Sequence, residues 1–181
     1  MKRGFLRQKK SFRIKSKRAQ MEMSFGMIFT IVLIVAFLGF TFFAITKFLN
    51  YRDKLQIAQF GTSLQENVDT LWRSSEGSQN YEYNLPGKVQ AVCIWNYHAQ
   101  PTAGMTKVKN DIERDYTGEE NTFFYPHEAS GNLEALNIKN LDVEKTTQKE
   151  NPYCFKNKDG KLSLVIIKES ISDTKVKIQR V

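Results

Sequence analysis

Met23–Thr46 reads MSFGMIFTIVLIVAFLGFTFFAIT, a run of 24 residues without one Asp, Glu, Lys or Arg, of which fourteen are Leu, Ile, Val or Phe. At about 1.5 Å per residue a helix of that length covers about 36 Å, enough for a hydrocarbon core of about 30 Å. At about −0.3 to −0.6 kcal/mol each, the fourteen large apolar residues favour insertion by about −4 to −8 kcal/mol. The polar groups inside the run are the hydroxyls of Ser24, Thr30, Thr41 and Thr46, which a helix can bond to its own carbonyls. A secretory signal peptide has a shorter apolar region, of about 7–15 residues, ending in a small-residue cleavage site. This run is too long for that and shows no such site after it, so the sequence predicts a transmembrane helix.

The charge around the run fixes its expected orientation. Residues 1–20 carry nine basic side chains and no acidic one, while the whole chain has a net charge of +8, leaving residues 21–181 at −1. The alkaline balance therefore belongs to a tail in front of an apolar run and not to the body, which points to a membrane surface and away from nucleic acid. Basic flanks stay in the cytoplasm, so the expectation is a cell-membrane protein with its N-terminus cytoplasmic and its C-terminal domain extracytoplasmic.

The boundary between tail and span reads Lys17-Arg18-Ala19-Gln20-Met21-Glu22-Met23-Ser24-Phe25-Gly26. Two basic residues, a small residue, a Gln and a Glu at the edge of the apolar run resemble the class III signal sequence of archaeal type IV pilins and archaellins. The resemblance implies that a prepilin peptidase cuts after Ala19, that Lys17 and Arg18 are the basic pair before the cut, and that Gln20 is the mature N-terminus. It also implies assembly of copies, or of related pilin-like subunits, through the apolar helix, with Glu22 pairing to the free amine of a neighbouring subunit. A carboxylate at the edge of hydrocarbon is costly unless paired. The bland reading of Glu22 is a head-group-level carboxylate still reached by water.

Beyond the span, Ile57, Phe60, Leu64, Val68 and Leu71 recur at steps of three and four, one apolar stripe on a helix that continues to near Arg73, with a bend expected close to Asn50. The Ser74–Ser78 cluster is expected to end it. Val89–Trp95, Thr122–Tyr125, Tyr153–Lys156, Lys161–Lys168 and Lys175–Val181 read as strands. Asn157-Lys158-Asp159-Gly160 reads as the turn of a hairpin joining the third and fourth of them, and residues 98–120 as a long loop. The expected fold is α+β: a transmembrane helix extended by an amphipathic helix that packs on a small antiparallel sheet. The expected divisions are a basic tail at 1–20, the span at 21–49, the amphipathic helix at 50–75 and a β-rich domain at 76–181.

The chain has two cysteines, Cys93 and Cys154, each in an expected strand. Outside the cytoplasm an even pair reads as a disulfide, and closing a loop of about 60 residues contributes about 4 kcal/mol on the chain-entropy account. The alternatives are two buried thiols, or a metal site using Cys93, His98, His127 and Cys154, for which the short-spaced ligand pairs are missing. A Cys/His nucleophile is formally available, but both cysteines sit in apolar company (Val92, Ile94; Tyr153, Phe155), where thiols are inert packing groups. There is no glycine-rich phosphate loop and no Gly-x-Ser-x-Gly elbow. The sequence therefore predicts no enzyme, no cofactor and no metal. It predicts a pilin-like surface subunit in a lipid bilayer or, alternatively, an uncleaved signal-anchored envelope protein whose outer domain binds a partner.

Overall fold

A computed structural model describes residues 25–131 and 135–181. The leader positions Lys17, Arg18, Ala19 and Gln20, and Glu22, lie outside the described residues. The chain divides into two units, Met1–Phe43 and Ala44–Val181, with the division inside the first helix.

That helix, α1, runs from Phe25 to Arg73 and is assigned as a single element through Asn50. Its buried residues are Ile57, Phe60, Leu64, Val68 and Leu71, the stripe that the spacing predicts. Gly61 sits beside that stripe for a packing reason: a Cβ there would lie 3.1 Å from Leu136 Cδ1, so the missing side chain lets Leu136 approach the helix. At the C-terminal end, the buried Lys168 ammonium donates to the carbonyls of Trp72 and Ser74, and the Ser74 hydroxyl donates to Leu71 O. A cation and a hydroxyl on the last carbonyls satisfy acceptors that the helix leaves open, at the negative end of its dipole.

The second unit is α+β with two three-stranded antiparallel sheets, where the sequence suggested one. The first has the order β1 (Gly77–Asn84), β5 (Lys161–Lys168), β6 (Lys177–Gln179), and the second β3 (Thr122–Tyr125), β2 (Ala91–Ile94), β4 (Tyr153–Lys156). The two sheets share one core. Phe60 meets Tyr83 of β1 edge-on at 5.2 Å and Phe124 of β3 at 5.9 Å, so one helical side chain wedges against both. Leu162, Leu164, Ile166 and Ile178 join it from the first sheet, and Val92, Ile94 and Phe155 from the second. Burial pushes the Tyr83 phenol up to about 12, against the opposing hydrogen bond from Asn67, so it remains a neutral partner for that amide.

All four residues of β2 are buried because the second sheet is covered on both faces. On its far side Ala91, Cys93 and Phe123 pack with Trp95 and with Ile112 of α2 (Thr106–Ile112). This helix corrects the long-loop expectation for 98–120. Met105, Val108 and Ile112 follow helical spacing, but the helix is only seven residues long and Met105 offers no capping side chain, so the polar composition dominated the reading. The other short helical elements among the described residues are 3₁₀ turns at Glu113–Asp115 and His127–Ser130 and α3 (Val143–Thr147), the last capped by Asp142.

Two further expectations change. β1 begins at Gly77, inside the serine cluster that was expected only to end the helix, and its largely polar, exposed residues hid it. The turn at Lys158–Lys161 forms as expected, with Asp159 at φ 54° and Gly160 at φ 81°, and Lys158 and Lys161 exchange both backbone hydrogen bonds. It does not make a hairpin of β4 and β5, however, because the two strands pair in different sheets. The Asn157 amide donates to Gln90 O, which keeps the chain on β2 up to the turn, while its side chain donates to Pro86 O and Val89 O. The turn is thus the corner at which the chain changes sheets.

Because Phe60 is 2% exposed and touches both sheets, Phe60→Ala is expected to lower the stability of the second unit by about 3–5 kcal/mol. Thermal or urea denaturation of the detergent-solubilised protein, followed by near-ultraviolet circular dichroism, checks this. A loss below about 1 kcal/mol would mean that the sheets do not depend on this wedge.

Candidate functional site: an apolar helix and a stapled second unit

From Phe25 to Leu49 every residue of α1 is exposed apart from the half-buried Thr46. The large side chains stand out on all sides: Phe25 is 83%, Phe37 67%, Phe40 68% and Phe42 73% exposed. The Thr30 hydroxyl is turned inward and donates to Gly26 O at 2.7 Å, leaving less polar surface to hydrate. A soluble amphipathic helix has one wet face, and this segment has none. It is long and apolar enough to serve as a membrane anchor. The amphipathic half of α1 differs in kind, since its stripe is already buried within its own unit.

Cys93 and Cys154 are joined by a disulfide with their Cα atoms 4.0 Å apart. They are directly opposed in the β2–β4 register. The Asn157–Gln90 hydrogen bond makes that residue pair a bonded one, so by alternation Val92–Phe155 and Ile94–Tyr153 are bonded pairs and Cys93–Cys154 is not. Unbonded pairs bring side chains closest, which is where a cross-strand bridge fits. With both thiols in the bridge, neither cysteine is available as a metal thiolate or a nucleophile.

The two histidines of the metal alternative lie in separate groups of side chains. His98 packs edge-on against Tyr97 at 5.8 Å. His127 lies 3.0 Å from the Arg114 guanidinium, 3.7 Å from the Asp115 carboxylate, and its amide donates to Asp111. Among the described residues no group of three or more His, Cys, Asp or Glu is placed to hold a metal ion.

Several residues that hold this unit together carried no signal in the sequence. Asn151, 3% exposed, accepts from Asn96 N–H and donates to the carbonyls of Asn96 and Ala99, each at 3.0 Å. One side chain thereby replaces the backbone partners that the 96–102 segment lacks. Glu120 does the same in reverse, accepting from the amides of Thr117, Gly118 and Glu119 and from the Thr117 hydroxyl. Burial alone would raise the Glu120 carboxyl, but these donors outweigh it and hold it down at about 2. Asn and Glu in polar loops are too common for either role to be read from composition.

Two outcomes follow. Replacing both cysteines by alanine, or reducing the bridge, is expected to lower stability by about 2–5 kcal/mol, with denaturation in the presence and absence of reductant as the check. For Glu120 the folded value lies below the unfolded one, so its contribution is present above about 4.5 and lost as pH falls through about 2. The thermal midpoints of the wild type and Glu120→Gln are therefore expected to differ most near neutrality and to converge towards pH about 2. Midpoints that stay equally far apart over the whole range would assign the difference to packing.

Comparison with protein-family models, curated proteins and solved structures found no match to this chain.

Proposed function

We propose that the chain is a pilin-like surface subunit that is trimmed after Ala19, assembles through its N-terminal apolar helix and displays the disulfide-stapled outer unit on the extracytoplasmic side of the cell membrane. The observation that carries this reading is the all-round exposure of the large apolar side chains from Phe25 to Leu49. Such a surface demands lipid or other apolar helices around it. The Lys17-Arg18-Ala19-Gln20 boundary supplies the processing half of the reading, and Glu22 the electrostatic half, through pairing with the amine of Gln20 on an adjacent copy. The mechanism is assembly and display: van der Waals packing between helices, with no bond made or broken after the leader is removed.

The outer unit supports the same reading from its side. It has its own core and a covalent staple. The competing reading keeps residues 1–19 and treats the helix as a plain signal anchor for a partner-binding domain.

Intact mass of the membrane-extracted protein, expressed with and without an archaeal prepilin peptidase, separates the two. Peptidase-dependent loss of residues 1–19 is expected, with Ala19→Leu expected to block it. An unshortened chain under both conditions would remove the assembly mechanism and leave the anchored partner-binding domain.

A further inference from the structure

We propose that the outer unit binds an extended acidic peptide in a cleft beside β4, where the peptide adds as a further strand to the free edge of the second sheet. The inference rests on the outer unit alone and holds whether or not the leader is removed.

The cleft has a volume of about 1030 Å³ and lies open to solvent. Its lining includes the bridged cysteines with Met105 and Val108 on one side, and Glu82, Lys161 and Ser163 of the first sheet on the other. β4 is the last strand of its sheet. The alternation described above turns the backbone groups of Phe155 towards β2 and those of Cys154 and Lys156 away from it, into the cleft. An outward-facing amide and carbonyl on alternate residues are what an incoming strand requires.

The protein already uses one of these groups in that manner. The Arg180 guanidinium donates through Nε to Cys154 O at 2.8 Å, while it lies over the Tyr153 ring at 4.3 Å and pairs with Glu150 at 2.7 Å. A side-chain N–H thus occupies the place of a strand amide at one end of the edge. The Lys156 amide and carbonyl have no such partner among the described residues.

Charge selects the class of peptide. The cleft is lined by four cations, Lys156, Lys158, Lys161 and Arg180, and by two carboxylates, Glu82 and Glu150. Lys161 is paired with Glu82 at 2.7 Å and Arg180 with Glu150. Lys156 and Lys158 remain, with no carboxylate within ion-pair distance among the described residues, so the lining side chains carry a balance of +2. An acidic strand complements it.

The test uses the full-length protein in detergent micelles and a fluorescent, N-acetylated peptide of about four Glu-Val repeats, read by anisotropy. Saturable binding is expected. It should weaken at least about tenfold in Lys156→Glu/Lys158→Glu, and equally when alternate amides of the peptide are N-methylated, which preserves charge but removes strand hydrogen bonds. Both lysines are exposed, and an unchanged thermal midpoint confirms that the double variant folds. Absence of saturable binding would overturn the proposal. So would undiminished binding of the methylated peptide, or its displacement by polygalacturonate as readily as that of the unmodified one, since either would make the cleft a charge-only site for polyanions. The methylated-peptide comparison needs no variant, so it decides the matter even if the double substitution unfolds the unit.

Discussion

The second unit, Ala44–Val181, depends on one stripe of α1. Two sheets of three strands are each too small to enclose a core, and a two-layer solution needs an apolar surface that both can share. Ile57 to Leu71 supply it, and Phe60, the second residue of the stripe, touches a ring from each sheet. The polar residues flanking the stripe fix where the loops lie on it. Gln65 exchanges hydrogen bonds with Lys139, and Asp69 accepts from Asn140, so the 139–140 segment is tied to the helix by side chains on one of its faces. Gly61 completes the fit by admitting Leu136. A helix with the same stripe but a large residue at position 61 would hold the sheets and lose this connection.

What the sequence made legible was local. The α1 stripe needs only the helical repeat, and β3, β4 and β5 stand out as short apolar or alternating runs between turn residues. The partition of the strands was not legible, because pairing is decided by residues far apart in the chain. Asp159-Gly160 reports a tight turn and nothing about what lies beyond it, so a turn that begins a new sheet looks the same as the turn of a hairpin. β1 escaped for a related reason. Six of its eight residues are exposed, and an edge strand with a wet face has no apolar pattern to betray it. α2 had its spacing in Val108 and Ile112 but was too short for that spacing to outweigh the polar residues between them.

The same limit applies to the cleft and to the polar hubs. Cys93 and Cys154 suggested a bridge on compartment and number, but the opposed register that permits it is a tertiary fact. Lys156, Lys158, Lys161 and Arg180 lie in two separate stretches of the sequence, and only the divergence of the sheets at the Lys158–Lys161 turn brings them to one opening. Asn157 reads as a turn residue in the sequence, and Asn151 carries no signal there. In the fold they replace missing backbone partners where the chain leaves a strand, and so allow irregular segments to be partly buried.

α1 joins two segments whose apolar surfaces answer to different surroundings. Past Asn50 one stripe of apolar residues, Ile57, Phe60, Leu64, Val68 and Leu71, is buried, and the unit's own interior satisfies it. Before it, fourteen large apolar residues in 24 cover every side, and no arrangement of one chain's small sheets could enclose them all. The first pattern therefore specifies a fold and the second an environment. Neither half can substitute for the other: the stripe is too narrow to hold in hydrocarbon, and the all-round surface gives a sheet no single face to select.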